Sequence, residues 1–209
     1  LLPEEEYSKF HKVLRMKSGD EVALLPGDGR LVRARLEGRG AVPVSVHRPE
    51  TEPRVSLTLC LAMSKADTLD ESVRMASEMG AVRFVVFASD RTVVKWDDKK
   101  REARLRRLRA IAREAAEVCF RTKLPKIAVA ESLDDVLGEF SAAQVLSEVE
   151  GTALKMNVSE ETTLVIGPEG GWSPREVEKI GGRAVTLGPR VLRVDTAVAA
   201  ACALALLER

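Results

Sequence analysis

From Val55 onward, continuous apolar runs alternate with stretches whose apolar residues recur every three or four positions; residues 1–52 carry only short runs broken by turns. The early runs, 21–25, 31–36 and 42–46, with Pro26-Gly27-Asp28-Gly29 as a turn, predict a small β-barrel. Residues 49–53, bounded by two prolines, read as a linker. Beyond it, 55–61 reads as a strand, and 67–79 places Leu69, Val73, Ala76 and Met79 at helical spacing before stopping at Gly80. A strand at 82–87 precedes a helix over about 98–120, with Leu105, Leu108, Ala112, Ala115 and Cys119 turned inward. Then come a strand at 126–130, a short helix at 134–140, a weak strand at 143–149 and a strong one at 162–166. Ser173-Pro174-Arg175-Glu176 supplies an N-cap, a proline at the first helical position and a capping-box glutamate, and Gly181-Gly182 closes that helix. Residues 184–187 read as another strand, and Asp195 or Thr196 is expected to cap a final helix. Strands alternating with helices predict an α/β domain with a mainly parallel sheet.

Composition changes this picture little. The 209 residues are 45% hydrophobic and 31% charged, which suits one large or two modest globular domains. A net charge of +1 gives no overall polycation, but between Lys99 and Lys123 ten Lys/Arg face three Glu, a stripe suited to a phosphate backbone or to a solvated helix face. Cys60, Cys119 and Cys202 are odd in number and widely spaced, so neither a disulfide framework nor a metal site is expected, and a reducing cytoplasm fits. The longest apolar stretch, 197–207, is too short to span a bilayer, and no membrane partner is expected.

Chemistry concentrates in two bends, each following an apolar strand. Ile166-Gly167-Pro168-Glu169-Gly170-Gly171 is the first and Leu187-Gly188-Pro189-Arg190-Val191-Leu192-Arg193 the second. Glycine lets a ligand approach the main chain closely, so two such bends converging at the carboxyl ends of adjacent strands would make a pocket rich in backbone N–H and C=O groups. Neither bend is a phosphate loop, and no Gly-x-Gly-x-x-Gly fingerprint follows a strand.

These two runs resemble the ribosomal RNA small subunit methyltransferase E family, of the SPOUT class of knotted methyltransferases. Matches in the same order lie upstream: Val13-Leu14-Arg15-Met16, Met63-Ser64-Lys65, Glu78-Met79-Gly80, Ser89-Asp90-Arg91, and Arg121 with Pro125. The resemblance implies a PUA-like β-barrel RNA-binding domain over 1–52, lacking its first residues because the chain opens at Leu1-Leu2-Pro3, and a SPOUT domain over 53–209 tied in a trefoil knot. It further implies a cytoplasmic homodimer formed through the knotted domain. The activity it implies is methylation of N3 of a uridine in 16S rRNA with S-adenosylmethionine and no metal; 16S rRNA or the small ribosomal subunit would be the partner.

By that correspondence Ile166, Gly167, Pro168, Gly170, Leu187, Gly188, Val191, Leu192, Thr196 and Ala197 hold the cofactor. Arg15, Lys65, Arg91, Arg121 and Lys123 are the RNA-binding candidates. Uridine N3 must give up its proton, which spreads negative charge onto O2 and O4. Arg193 and Arg190, on the second bend, are candidates to stabilise that charge or to hold a phosphate, and Glu169 is a candidate proton acceptor or a partner for neighbouring N–H groups. Trp172, beside a helix N-cap, reads as a packing staple before a base stack.

Some positions depart from the family. Val118 stands for a glutamine, Phe120 for a glycine, Thr68 for a basic residue, Arg74-Met75 for Gln-Lys and Asp195 for a glutamate. They leave open a SPOUT enzyme with another target nucleotide, or a non-catalytic RNA-binding assembly factor.

Overall fold

The structure, a computed structural model, describes residues 2–148 and 155–207. Its contacts separate two units: Leu1–Glu52 with Phe120–Lys123, and Pro53–Cys119 with Leu124–Arg209.

The first unit opens with helix α1 (Glu4–Ser8), which widens into a π turn at Lys9–Val13. A strand-and-turn reading misses this helix, although Pro3 followed by Glu4, Glu5 and Glu6 is a helix-start signal: proline fits the entry and the carboxylates favour the positive end of the dipole. Strands β1 (Glu21–Leu24), β2 (Leu31–Glu37) and β3 (Gly40–His47) form an antiparallel sheet in that order. β2 shows the alternation that a half-covered sheet imposes, Val32, Ala34 and Leu36 buried while Arg33, Arg35 and Glu37 are exposed. Phe10 and Met16 pack on that apolar face.

A division at residue 52 does not anticipate the return of Phe120–Lys123 to this unit. The Gly29 N–H donates to Thr122 O at 2.8 Å, and Asp28 bridges Lys123. Phe120 stands where the resemblance expects glycine, and its φ of +59° is the left-handed value that glycine would adopt without strain. The family's backbone shape persists here without the family's residue. Its side chain is 55% exposed, so little packing offsets the strain. Phe120→Gly is therefore expected to stabilise the protein by about 1 kcal/mol, raising the thermal midpoint by roughly 2–4 °C in a calorimetric scan.

In the second unit, β4 (Ser56–Ala62), helix α2 (Ala66–Met79), β5 (Arg83–Phe87), helix α3 (Asp98–Val118), β6 (Lys126–Ala130), helix α4 (Leu133–Glu139), β7 (Gln144–Leu146), β8 (Glu161–Ile166), helix α5 (Pro174–Ile180), β9 (Ala184–Val185) and helix α6 (Val194–Leu206) follow one another. The six strands form one parallel sheet in the order β6-β5-β4-β8-β7-β9. Both faces are covered, which is why its central strands carry apolar runs such as Leu59–Ala62, Phe84–Phe87 and Leu164–Ile166 without polar alternation. Leu57, Leu59, Leu61, Phe84, Val86, Leu164 and Ile166 pack on one side with α2, α3 and α6; Cys60, Ala62, Val85, Phe87 and Val165 pack on the other with α4 and α5.

Several boundaries differ from the pattern-based expectation. β9 ends at Val185 rather than 187, and β7 at Leu146; Val149 lies outside the described residues. The final helix begins one residue after Arg193, whose extended backbone forms its N-cap with no side-chain hydrogen bond. Asp195 and Thr196, expected as caps, already lie in the first turn, where the Asp195 carboxylate still suits the helix dipole.

Candidate cofactor-binding cleft

The first bend leaves the carboxyl end of β8. The Gly171 N–H donates to Pro168 O at 2.9 Å, and Gly171 takes φ +67°, which turns the chain back towards α5. Trp172 then inserts, 9% exposed, with Nε1–H donating to Leu146 O at 2.9 Å. Its ring lies nearly parallel to that of Phe87, with 6.4 Å between centroids. A Cβ on Gly167 would stand 2.9 Å from the Trp172 ring, a distance no neighbour could relieve while that ring is pinned. Gly167→Ala is therefore expected to destabilise the fold by about 1–3 kcal/mol, read as a lowered denaturant midpoint.

Glu176 locks the bend from behind. Ser173 and Glu176 form the expected capping box, and the Glu176 carboxylate, 1% exposed, also accepts from Ser89 Oγ at 2.7 Å and Asp90 N–H at 3.0 Å. The loop after β5 is tied down again by Arg175, which donates to Asp90 at 2.8 Å, and by Arg91, which donates to Gly170 O at 2.9 Å. The Arg175 guanidinium and then the Ser173 hydroxyl pull the Asp90 carboxyl down to about 2. The Ser89-Asp90-Arg91 motif thus holds the first bend in shape.

The second bend follows β9. Thr186 Oγ1 accepts the Gly188 N–H at 3.0 Å and donates to Gly188 O at 2.9 Å, and Gly188 takes φ +128°. Farther along, the Leu192 N–H donates to Glu148 Oε1 at 2.9 Å. The two bends do not leave adjacent strands, because β7 lies between β8 and β9 and its trailing residues supply a third wall.

Together they enclose a cleft of about 270 Å³. Ile166, Gly167, Pro168, Leu187, Val191, Leu192 and Ala197 line it, as does Glu169. Gly170, Gly188 and Thr196 do not, nor do Arg190 and Arg193. Arg193 is 81% exposed with Nε 3.6 Å from Asp195, and Arg190 is exposed beside the cleft's second bend. Leu146, Ser147, Glu148, Trp172 and Val185 also line it. Of these, only Trp172 carries a sequence signal, its place beside the Gly-rich bend; the others lie in or directly after the short strands β7 and β9, whose spatial order no periodicity reveals.

The RNA-binding candidates separate by exposure. Arg15, Lys65, Arg91 and Lys123 are exposed, Arg15 with a left-handed backbone at φ +55°. Arg121 is a correction: only 4% of its side chain is exposed, and its guanidinium meets Glu52 Oε2 at 2.6 Å, so it is a buried strut rather than a phosphate contact. The basic stripe of α3 is also partly spent on protein. Arg104 and Arg107 both hold Asp70, at 2.7 and 2.6 Å, while Arg101 pairs with Glu131 and Arg106 with Glu102. Lys99, Lys100, Arg109 and Arg113 have no ion partner among the described residues.

Burial pushes the Cys60 and Cys202 thiols up to about 12, so neither supplies a thiolate nucleophile. No group of three His, Cys, Asp or Glu that could hold a metal ion occurs among the described residues, and no described helix is long and apolar enough to cross a membrane.

Residues 51–206 match an RNA methyltransferase domain family. The Ribosomal RNA small subunit methyltransferase E of Mycobacterium bovis is 34% identical over 217 residues, covering 92% of this chain and 80% of that protein. The Bacillus subtilis protein of the same name is 28% identical, with 92% of this chain and 84% of that protein covered. Among solved structures, the Ribosomal RNA small subunit methyltransferase E of Neisseria gonorrhoeae, bound to S-adenosyl methionine, superposes with a TM-score of 0.86 at 26% identity, covering 97% of this chain and 89% of that one.

Proposed function

We propose, since the chain belongs to the ribosomal RNA small subunit methyltransferase E family, that it transfers a methyl group from S-adenosylmethionine to N3 of a uridine in 16S ribosomal RNA. The observation that carries this reading is the convergence of both family bends on one cleft. The cleft's chemistry fits the cofactor. Ile166, Leu187, Leu192 and Ala197 offer apolar walls for a purine, and the carboxylates of Glu148 and Glu169 suit a ligand bearing positive charge.

When bound, S-adenosylmethionine supplies an electrophilic methyl that needs no metal. The protein's part is to orient it and to ready the uridine. Glu169, on the first bend and lining the cleft, accepts the N3 proton. Arg193 and Arg190, exposed on the second bend, stabilise the charge that appears on O2 and O4. Arg15 and Lys123 in the first unit, and Lys65 and Arg91 in the second, contact RNA phosphates.

The same reading extends to architecture. The three-stranded sheet of the first unit forms part of a PUA-like barrel spanning residues 1–52, and residues 53–209 form a SPOUT domain whose trefoil knot includes the two bends. The protein acts in the cytoplasm as a homodimer joined through that domain.

Nucleoside mass spectrometry of 16S rRNA from a strain lacking the protein tests the reading. Loss of N3-methyluridine, restored by the wild-type gene, is expected; an unchanged N3-methyluridine level with loss of another methylated nucleoside would reassign the target.

A further inference from the structure

Among the described residues, the charged side chains lining the cofactor cleft are Glu148 and Glu169, with no Lys, Arg or His beside them. Glu148 follows β7, in a segment without any recognisable motif. Its Oε1 accepts the Leu192 N–H at 2.9 Å, while its other carboxylate oxygen has no partner among the described residues. One oxygen braces the second bend, and the carboxylate's residue lines the cleft. Around it, Ile166, Leu187 and Leu192 form apolar walls, and walls of low polarisability concentrate the field of a carboxylate into the space they enclose.

We propose that Glu148 makes the cleft selective for a positively charged ligand, so that it favours S-adenosylmethionine over the thioether product S-adenosylhomocysteine. This inference rests on the function proposed above. Methyl transfer leaves the C–S bonding pair on sulfur and cancels the sulfonium charge, while the methyl joins uridine N3 and the N3 proton passes to the acceptor. The ligand's attraction to Glu148 falls at that moment, and the spent cofactor is released more readily than the fresh one. Because Glu148 is exposed and water screens its charge, the selectivity is modest, roughly fivefold.

Titration calorimetry of the full chain with S-adenosylmethionine, S-adenosylhomocysteine and the amine analogue sinefungin, which is cationic at the corresponding position, tests this. Wild-type protein is expected to bind both cationic ligands more tightly than the thioether, with the gap narrowing as salt rises. Glu148→Gln keeps an oxygen to accept the Leu192 N–H but removes the charge. It is expected to weaken both cationic ligands roughly fivefold and to leave S-adenosylhomocysteine unchanged, the unchanged ligand reporting an intact cleft. Equal weakening of all three ligands, or no change in any, would overturn the proposal. Wild-type protein that bound none of them would instead remove the proposed function beneath it.

Discussion

Replacing Trp172 by alanine is expected to destabilise the protein by about 3–5 kcal/mol and to lower its thermal midpoint by roughly 10 °C. The indole is 9% exposed, lies against Phe87 and donates to Leu146 O at 2.9 Å. Removing it opens a cavity beneath Gly167 and strips the Leu146 carbonyl of its donor in the same stroke. Trp172 also lines the cleft, so S-adenosylmethionine affinity should fall with stability. Trp172→Phe retains the ring contact and loses only the N–H donor, so it is expected to cost about 1–2 kcal/mol. Equal midpoints for the two variants in a denaturant titration would show that the hydrogen bond, not the packing, holds this part of the sheet.

Arg193→Ala is expected to lower kcat for rRNA methylation about 10²- to 10³-fold, the loss that follows removal of a group stabilising transition-state charge. Its side chain is 81% exposed and absent from the cleft wall, so S-adenosylmethionine affinity and thermal stability should stay at wild-type values. Arg193→Lys should recover only part of the rate, because a point charge replaces a planar fork of donors. A full wild-type kcat in Arg193→Ala would move charge stabilisation to Arg190 or elsewhere.

Much of the fold was legible because the sheet is covered on both sides. Continuous apolar runs such as Leu59–Met63 and Phe84–Phe87 have no reading as exposed strands, and the helices between them carry their own start and stop signals in Gly80 and Ser173-Pro174-Arg175-Glu176. Strand order was not legible. Nothing in the local pattern says that Gln144–Leu146 separates Glu161–Ile166 from Ala184–Val185, since that order is fixed by contacts far apart in sequence.

The same division runs through the site. Ile166, Gly167, Leu187 and Leu192 carry a readable motif, because the close approaches and turns there demand glycine and flanking apolar residues. Glu148 reaches the cleft only through the sheet's crossover, and its neighbourhood advertises nothing. Arg121 misled for the opposite reason: a basic residue ending a basic helix looks like an RNA contact until Glu52 is found against it. Charge along a sequence records no partner that lies some seventy residues away in the chain.

The most direct measurement is a crystal structure of the protein grown with saturating S-adenosylmethionine. Cofactor density bounded by Ile166, Gly167 and Pro168 on one side and by Leu187, Val191 and Leu192 on the other is the expected result. An empty cleft, or cofactor bound elsewhere on the molecule, would contradict it.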